Sequence, residues 1–151
     1  MITNANINQP GLLTLSSFVT NVTCPDGNSG AISLRVSGGT GTMTYQWTSG
    51  GVNVPDLSNL ASGEYTVIVT DENGCTAQHS ENIGEPIDLM LVAELDDIDC
   101  NGESTGNIHL FATGGTGPYD YLWGNNMTTN SLSHLTAGFY QVTVTDNNDC
   151  A

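Results

Sequence analysis

Apolar residues recur at every second position along most of this chain. Ile32, Leu34 and Val36 form one such series, Tyr45 and Trp47 a second, and Tyr65, Val67 and Val69 a third. A period of two is that of half-buried β-strands. Turn residues separate the series: Gly38-Gly39 and Gly114-Gly115, Ser49-Gly50-Gly51, Glu72-Asn73-Gly74, and Asn147-Asn148. No stretch carries a helical period. The signals run as an edge strand near Leu12 to Leu15, a strand at Ile32, a Tyr-x-Trp strand, a short middle region, a strand at Tyr65 and a last strand from Thr76 toward Ile83. That order predicts an all-β, immunoglobulin-like Greek-key sandwich. Trp47 and Trp123 are placed to face the opposite sheet, with Tyr45, Tyr65, Tyr121 and Tyr140 as further core aromatics. Leu60-x-x-Gly63-x-Tyr65 and Leu135-x-x-Gly138-x-Tyr140 have the form of a tyrosine corner.

The same pattern occurs twice. Ile7-x-x-Pro10 returns as Ile83-x-x-Pro86, a shift of 76, and Cys24, which opens CPDGNSGAISLRVSGGTG, returns as Cys100, which opens CNGESTGNIHLFATGGTG. Tyr45 and Trp47 match Tyr121 and Trp123. After one residue is lost in a loop, LSNLASGEYTVIVTDENGC, ending at Cys75, matches LSHLTAGFYQVTVTDNNDC, ending at Cys150, at a shift of 75. Identity in register at this density is tandem duplication. The 151 residues therefore divide into two tandem sandwiches, residues 1–83 and 84–151, and further copies are expected in a longer parent protein.

Composition narrows the reading. Small sandwiches bury only about 60% of their unfolded surface and often need a covalent staple; the four cysteines are the candidates. Arg35 stands alone as Lys or Arg against sixteen Asp and Glu, a formal net charge of −15. Such a surface repels phosphate backbones and anionic lipids, which argues against nucleic-acid binding and membrane insertion. Met1-Ile2-Thr3 lacks the basic start and apolar run of a signal peptide, so an export signal and an anchor are expected elsewhere in the parent.

The residues that carry the repeat also carry a family resemblance. Cys-x-Gly followed by Gly-x-Ile, then GGTGPYDYLW, then L-x-x-L-x-x-G-x-Y-x-V-x-V-T-D ending in Cys resembles the SprB repeat over nearly the whole chain. The first copy departs from it at Thr42-Met43, where the second has Pro118-Tyr119. That resemblance implies a large cell-surface adhesin of Bacteroidetes, exported by the type IX route, displayed as a filament outside the cell, and serving attachment and gliding motility. It supplies no catalytic residue. Its partners would be neighbouring repeats and an adhesion ligand such as a surface polysaccharide.

Two disulfide pairings fit the repeat. Cys24 with Cys75 and Cys100 with Cys150 gives each copy its own bridge and is the default. The strand order opposes it: a seven-residue strand spans about 23 Å, while bridged Cα atoms lie within about 7 Å. Cys24 with Cys150 is the alternative, leaving Cys75 and Cys100 for neighbouring repeats. The cysteines form no CxxC pair, and His79, His109 and His134 lack ligand spacing, which argues against zinc.

Calcium is the better metal candidate, with Asp26, Asn28, Asp146, Asn148 and Asp149 as ligands. Asp71, Asn73 and the Asp96, Asp97, Asp99 cluster add carboxylates and amides nearby in sequence. The competing reading makes these residues turn formers and a solvated acidic coat. No GxSxG elbow, HExxH motif or phosphate loop is present, so the chain is read as non-enzymatic and without a required cofactor. A second functional reading is a carbohydrate-binding or spacer module of a secreted protein, with Tyr119, Tyr121 and Trp123 as a stacking platform. It requires those rings to be exposed, whereas aromatics repeated in both copies are more often core.

Overall fold

The computed structural model describes residues 6–50 and 53–151; Met1–Thr3, and Gly51 of the Ser49–Gly51 turn, lie outside them. Among the described residues the protein is all-β, and it divides into two compact units. The first comprises the residues up to Val22 together with Asp26–Gly84, and the second comprises Thr23–Pro25 and Glu85–Ala151. Thus the three residues around Cys24, which interrupt the first unit in sequence, belong to the second.

Unit 1 contains β1 (Thr14–Thr20), β2 (Gly30–Ser37), β3 (Thr44–Trp47), β4 (Asp56–Leu60), β5 (Gly63–Thr70) and β6 (Thr76–Ile83). One sheet has the order β1-β2-β4 and the other β3-β5-β6, all pairs antiparallel. The chain leaves the first sheet after β2, returns for β4 and leaves again, which is the Greek-key crossing of an immunoglobulin-like sandwich. Inward positions of both sheets bury Ile32, Leu34, Trp47, Val67, Val69 and Ile83 in one core with Leu13 and Val22, which flank β1. Each such side chain contributes roughly 1.5–3 kcal/mol on leaving water.

Two details differ from the sequence reading. The short middle region is a true strand, β4, and the edge strand begins at Thr14, leaving Leu12 84% exposed. The cause is the end of its partner: β2 stops at Ser37, which pairs with Thr14, and Gly38 and Gly39 then turn with positive φ. A Cβ on Gly38 would strike the Leu12 carbonyl, so the residues before β1 approach this loop closely through backbone, Gly39 N–H donating to Gly11 O at 2.9 Å.

Unit 2 contains β7 (Met90–Asp96), β8 (Gly106–Thr113), β9 (Asp120–Trp123), β10 (Ser131–Leu135) and β11 (Val142–Thr145). Its sheets have the orders β7-β8-β10 and β9-β11. The core cluster is smaller, with Leu110, Trp123 and Leu132 at its centre and Ile108, Tyr121, Leu135 and Val142 packed around it.

Trp47 and Trp123 are buried, and each indole N–H is satisfied by a carbonyl, Val54 O at 2.9 Å and Thr129 O at 2.8 Å. Tyr65 and Tyr140 donate to the carbonyls four residues earlier, Ala61 and Thr136, in the manner of a tyrosine corner. Tyr45, Tyr65 and Tyr121 are half-buried. Tyr140 corrects the expectation of a core residue: it is 37% exposed, and among the described residues no strand pairs with β11 on the side where β6 pairs with the strand of its counterpart Tyr65.

Candidate functional site

The chemistry of this chain is concentrated where a strand ends in Thr-Asp and a cysteine follows. Asp71 and Asp146 are equivalent residues just after β5 and β11, and both are buried, at 5% and 2% exposure. Asp146 Oδ1 accepts the backbone N–H of Asn148 (2.8 Å) and of Cys150 (3.0 Å), and Oδ2 accepts that of Thr116 (2.8 Å). Asp71 repeats the set with Asn73 (3.0 Å), Cys75 (2.8 Å) and Thr40 (2.9 Å). One carboxylate thus fastens the GGTG loop to the turn that presents the cysteine. Burial pushes both carboxyls up. The opposing backbone donors, Cys75, Thr40 and Asn73 for Asp71 and Thr116, Cys150 and Asn148 for Asp146, outweigh it and hold both below the ordinary carboxylate value.

Cys150 is buried on this platform and is bridged to Cys24, with Cα atoms 5.5 Å apart and a sequence separation of 126. Asn148 secures the approach, its Nδ2 donating to Thr23 O at 3.2 Å and lying 3.1 Å from Thr116 Oγ1. Cys75 and Cys100 are exposed and unbridged. The default pairing of Cys24 with Cys75 and of Cys100 with Cys150 is therefore overturned. Within unit 1 the reason is strand length. Cys75 lies at the GGTG end, tied through Asp71, while Val22, two residues before Cys24, binds Gly84 O at the opposite end, beyond Ile83. The eight residues of β5 between those ends span about 23 Å, too far for one disulfide.

The SprB repeat family model matches the chain twice, over residues 16–52 and over residues 92–128. This chain carries two SprB repeats. No curated protein matches it. In each SprB repeat the matched segment begins in the edge strand and ends just beyond the Tyr-x-Trp strand, so the Asp-capped turn and its cysteine lie outside the matched segment. The family points to a cell-surface repeat protein.

Other candidate residues of these repeats have local, conformational explanations. Asp26 and Asp149, two of the candidate calcium ligands, have φ of 53° and 61°, and the equivalent residues of the other repeat are Gly102 and Gly74, also at positive φ. They occupy left-handed turn positions. Asp146 has both oxygens engaged by backbone, and Asn148 uses its amide on Thr23 and Thr116. Asn28 is exposed. Among the described residues no group of three or more His, Cys, Asp or Glu is placed to hold a metal. His134, at φ 58°, matches Asn59 at φ 55°; each sits where the edge ladder with β8 or β2 breaks register.

Ser17, His79 and Glu81 converge between β1 and β6, a cluster not anticipated from sequence. His79 Nε2 lies 3.0 Å from Ser17 Oγ and 2.9 Å from Glu81 Oε1, and Ser17 also donates to Glu81. The Ser17 hydroxyl, then His79, hold the Glu81 carboxyl below its ordinary value. One ring nitrogen faces both partners, whereas a nucleophile relay places acid and hydroxyl on opposite nitrogens; the trio is a strut joining the two sheets. The proposed stacking platform is not formed either: Trp123 is 3% exposed, Tyr121 packs on the core, and the Tyr119 hydroxyl donates to Gly114 O at 2.6 Å.

Proposed function

We propose that this chain is a pair of non-catalytic stalk repeats from a large bacterial surface adhesin filament used in attachment and gliding, and that its disulfide carries load. The Cys24–Cys150 bridge is the observation that supports this reading most directly. Tension that enters the polypeptide before Cys24 and leaves after Cys150 passes through the S–S bond and bypasses the residues between them. Among the described residues, β1 alone of the eleven strands lies outside that covalent loop. The acidic surface suits a long filament, because like charge opposes collapse and aggregation. An oxidising location outside the cell is consistent with the bridge.

Pulling single molecules by their two ends tests this. The oxidised chain should extend only by the residues outside the loop. Reduction should release the 126-residue separation, adding about 440 Å at ~3.5 Å per residue. Equal contour lengths with and without reductant would sink the load-carrying reading.

A further inference from the structure

The outward face of the β1-β2-β4 sheet carries three side chains of complementary chemistry. Phe18, on β1, is 64% exposed, and the guanidinium of Arg35, on β2, stacks over its ring at 5.1 Å from the centroid. Arg35 is the single Lys or Arg of the chain, against sixteen Asp and Glu. Among the described residues it nevertheless forms no ion pair, and none of its N–H groups has a protein acceptor. Across the sheet Phe18 is opposite Ser33, and Ser33 opposite Asp56 of β4, a row about 10 Å long from the strand spacing. Asp56 is fixed in this row through Oδ1, which accepts the Ser33 hydroxyl at 2.9 Å and the Leu34 N–H at 3.2 Å, while Oδ2 has no partner among the described residues. Past Arg35 along the strands lies a shallow open depression of about 470 Å³, lined by Thr14, Leu15, Ser16, Arg35, Val36 and Ser37.

The second repeat shows that the sheet does not need this trio. Unit 2 builds the equivalent sheet, β7-β8-β10, from matching inward residues: Ile108 for Ile32, Leu110 for Leu34 and Leu132 for Leu57. Outward, Glu94 stands in place of Phe18, Phe111 in place of Arg35 and Ser131 in place of Asp56. The face is open in unit 1, which has a repeat after it in sequence, and in unit 2, which has one before it: Met90, Val92 and Phe111 are exposed like Phe18 and Arg35. Phe18, Arg35 and Asp56 are therefore a feature of one repeat, added to a face that both repeats leave to solvent.

We propose that Phe18, Arg35 and Asp56 form a binding site for a neutral, extended polysaccharide chain laid across the β1-β2-β4 sheet. A pyranose ring presents an apolar C–H face and a rim of hydroxyls, so its recognition calls for an aromatic ring with a donor and an acceptor beside it. Phe18 supplies the ring: the guanidinium covers one of its faces and fixes its orientation, and the other is open. Arg35 supplies donors in a rigid planar fork. Asp56 Oδ2 accepts, and the hydroxyls of Thr14, Ser16, Ser33 and Ser37 line the path. The row from Phe18 to Asp56 has the length of a disaccharide. Charge selects the kind of chain. A protein of net charge −15 repels a polyanion, and a face holding one cation and one carboxylate has no net charge to draw a polycation. The site gives the adhesin reading a ligand class and rests on that reading for its biological meaning; its chemistry is independent of the load-carrying bridge.

The test titrates the full oxidised chain with cellohexaose, mannohexaose and xylohexaose and follows backbone amides by NMR. At millimolar sugar, at least one of them should shift the amides of residues 16–20 and 33–37 and leave those of residues 92–96 and 109–113 in place. Phe18→Ala and Arg35→Gln should each weaken that binding about ten-fold, the loss of one well-placed contact, while Phe18→Tyr retains it. Both weakened variants should melt like the parent, because the side chains they remove are exposed. Added salt should leave the affinity unchanged. Absence of shifts with all three sugars overturns the proposal, and so does undiminished binding by Phe18→Ala or an equal response in unit 2. Tighter binding of hexagalacturonate, weakening with salt, also overturns it, since Arg35 would then be an anion site. The pulling experiment reads contour length and not sugar, so the stalk reading and this site fail separately.

Discussion

Asp71 and Asp146 show how one side chain can organise the end of a repeat. Each accepts three backbone N–H groups, and a protonated carboxyl would accept them poorly. Their pKa is lowered on folding, so the stability they contribute is present above the ordinary carboxylate value of 3.8 and is lost as pH falls below it through the folded value. In Asp146→Asn, an amide N–H₂ would face the Thr116 N–H, donor to donor. That variant should melt several degrees lower at pH 7 and lose less than the parent between pH 4 and pH 2, as read by circular dichroism. An unchanged pH profile would remove Asp146 from the account of acid sensitivity. His134 belongs to the same scale. Its left-handed backbone is costly for a β-branched side chain, so His134→Val should destabilise unit 2 by about 1 kcal/mol or more, while His134→Asn, the residue at the equivalent position of unit 1, should be nearly neutral in denaturant melts.

At the scale of elements, β6 decides how complete a sandwich is. It covers β5 along its whole length and reaches β1 through the Ser17–His79–Glu81 strut. Its last residue closes the end of the core. Ile83→Ala would open a space at that end of unit 1, at a cost of about 2–5 kcal/mol for a buried isoleucine. In a thermal melt the unit 1 transition should fall; an unchanged melt would show that Ile83 does not seal the core. The period-two series made β2, β3 and β5 legible in sequence, and the order of signals around them placed β1 and β6. β4 escaped notice because Asp-Leu-Ser-Asn-Leu has only two apolar positions, and the positive φ at Asn59 breaks its alternation.

For the whole molecule, the pairing of Cys24 with Cys150 links the first cysteine of one repeat with the second cysteine of the next. Cys75 stands on the same Asp-capped turn as Cys150 and is exposed. The rule therefore extends outward: in a head-to-tail fusion of two copies of this chain, Cys100 of the leading copy should bridge to Cys75 of the following one. Non-reducing peptide mapping reads this directly, and a Cys75–Cys100 bridge within one copy would break the rule. Because Asp146, Asp26 and Asp149 already have turn-forming roles, calcium and chelator should leave the melting temperature unchanged. A rise of several degrees with calcium would restore the acidic turns as a metal site.

Sequence alone determined the duplication, the all-β class, the Greek-key order and the tryptophans at the core. All four follow from local periodicity and from matching residues at a fixed shift. It did not determine the cysteine pairing, since two pairings satisfy the same spacings and the choice depends on which strand ends lie at which end of a sandwich. Nor did it reveal the buried role of Asp71 and Asp146. Their recurrence in Thr-Asp-x-Asn-x-Cys was visible, but Asp in a turn has the same signature whether it faces water or collects three backbone donors. The exposure of Tyr140 was equally hidden, because its ring lies just outside β11 and is covered only as far as neighbouring elements reach it, which is a property of the tertiary structure.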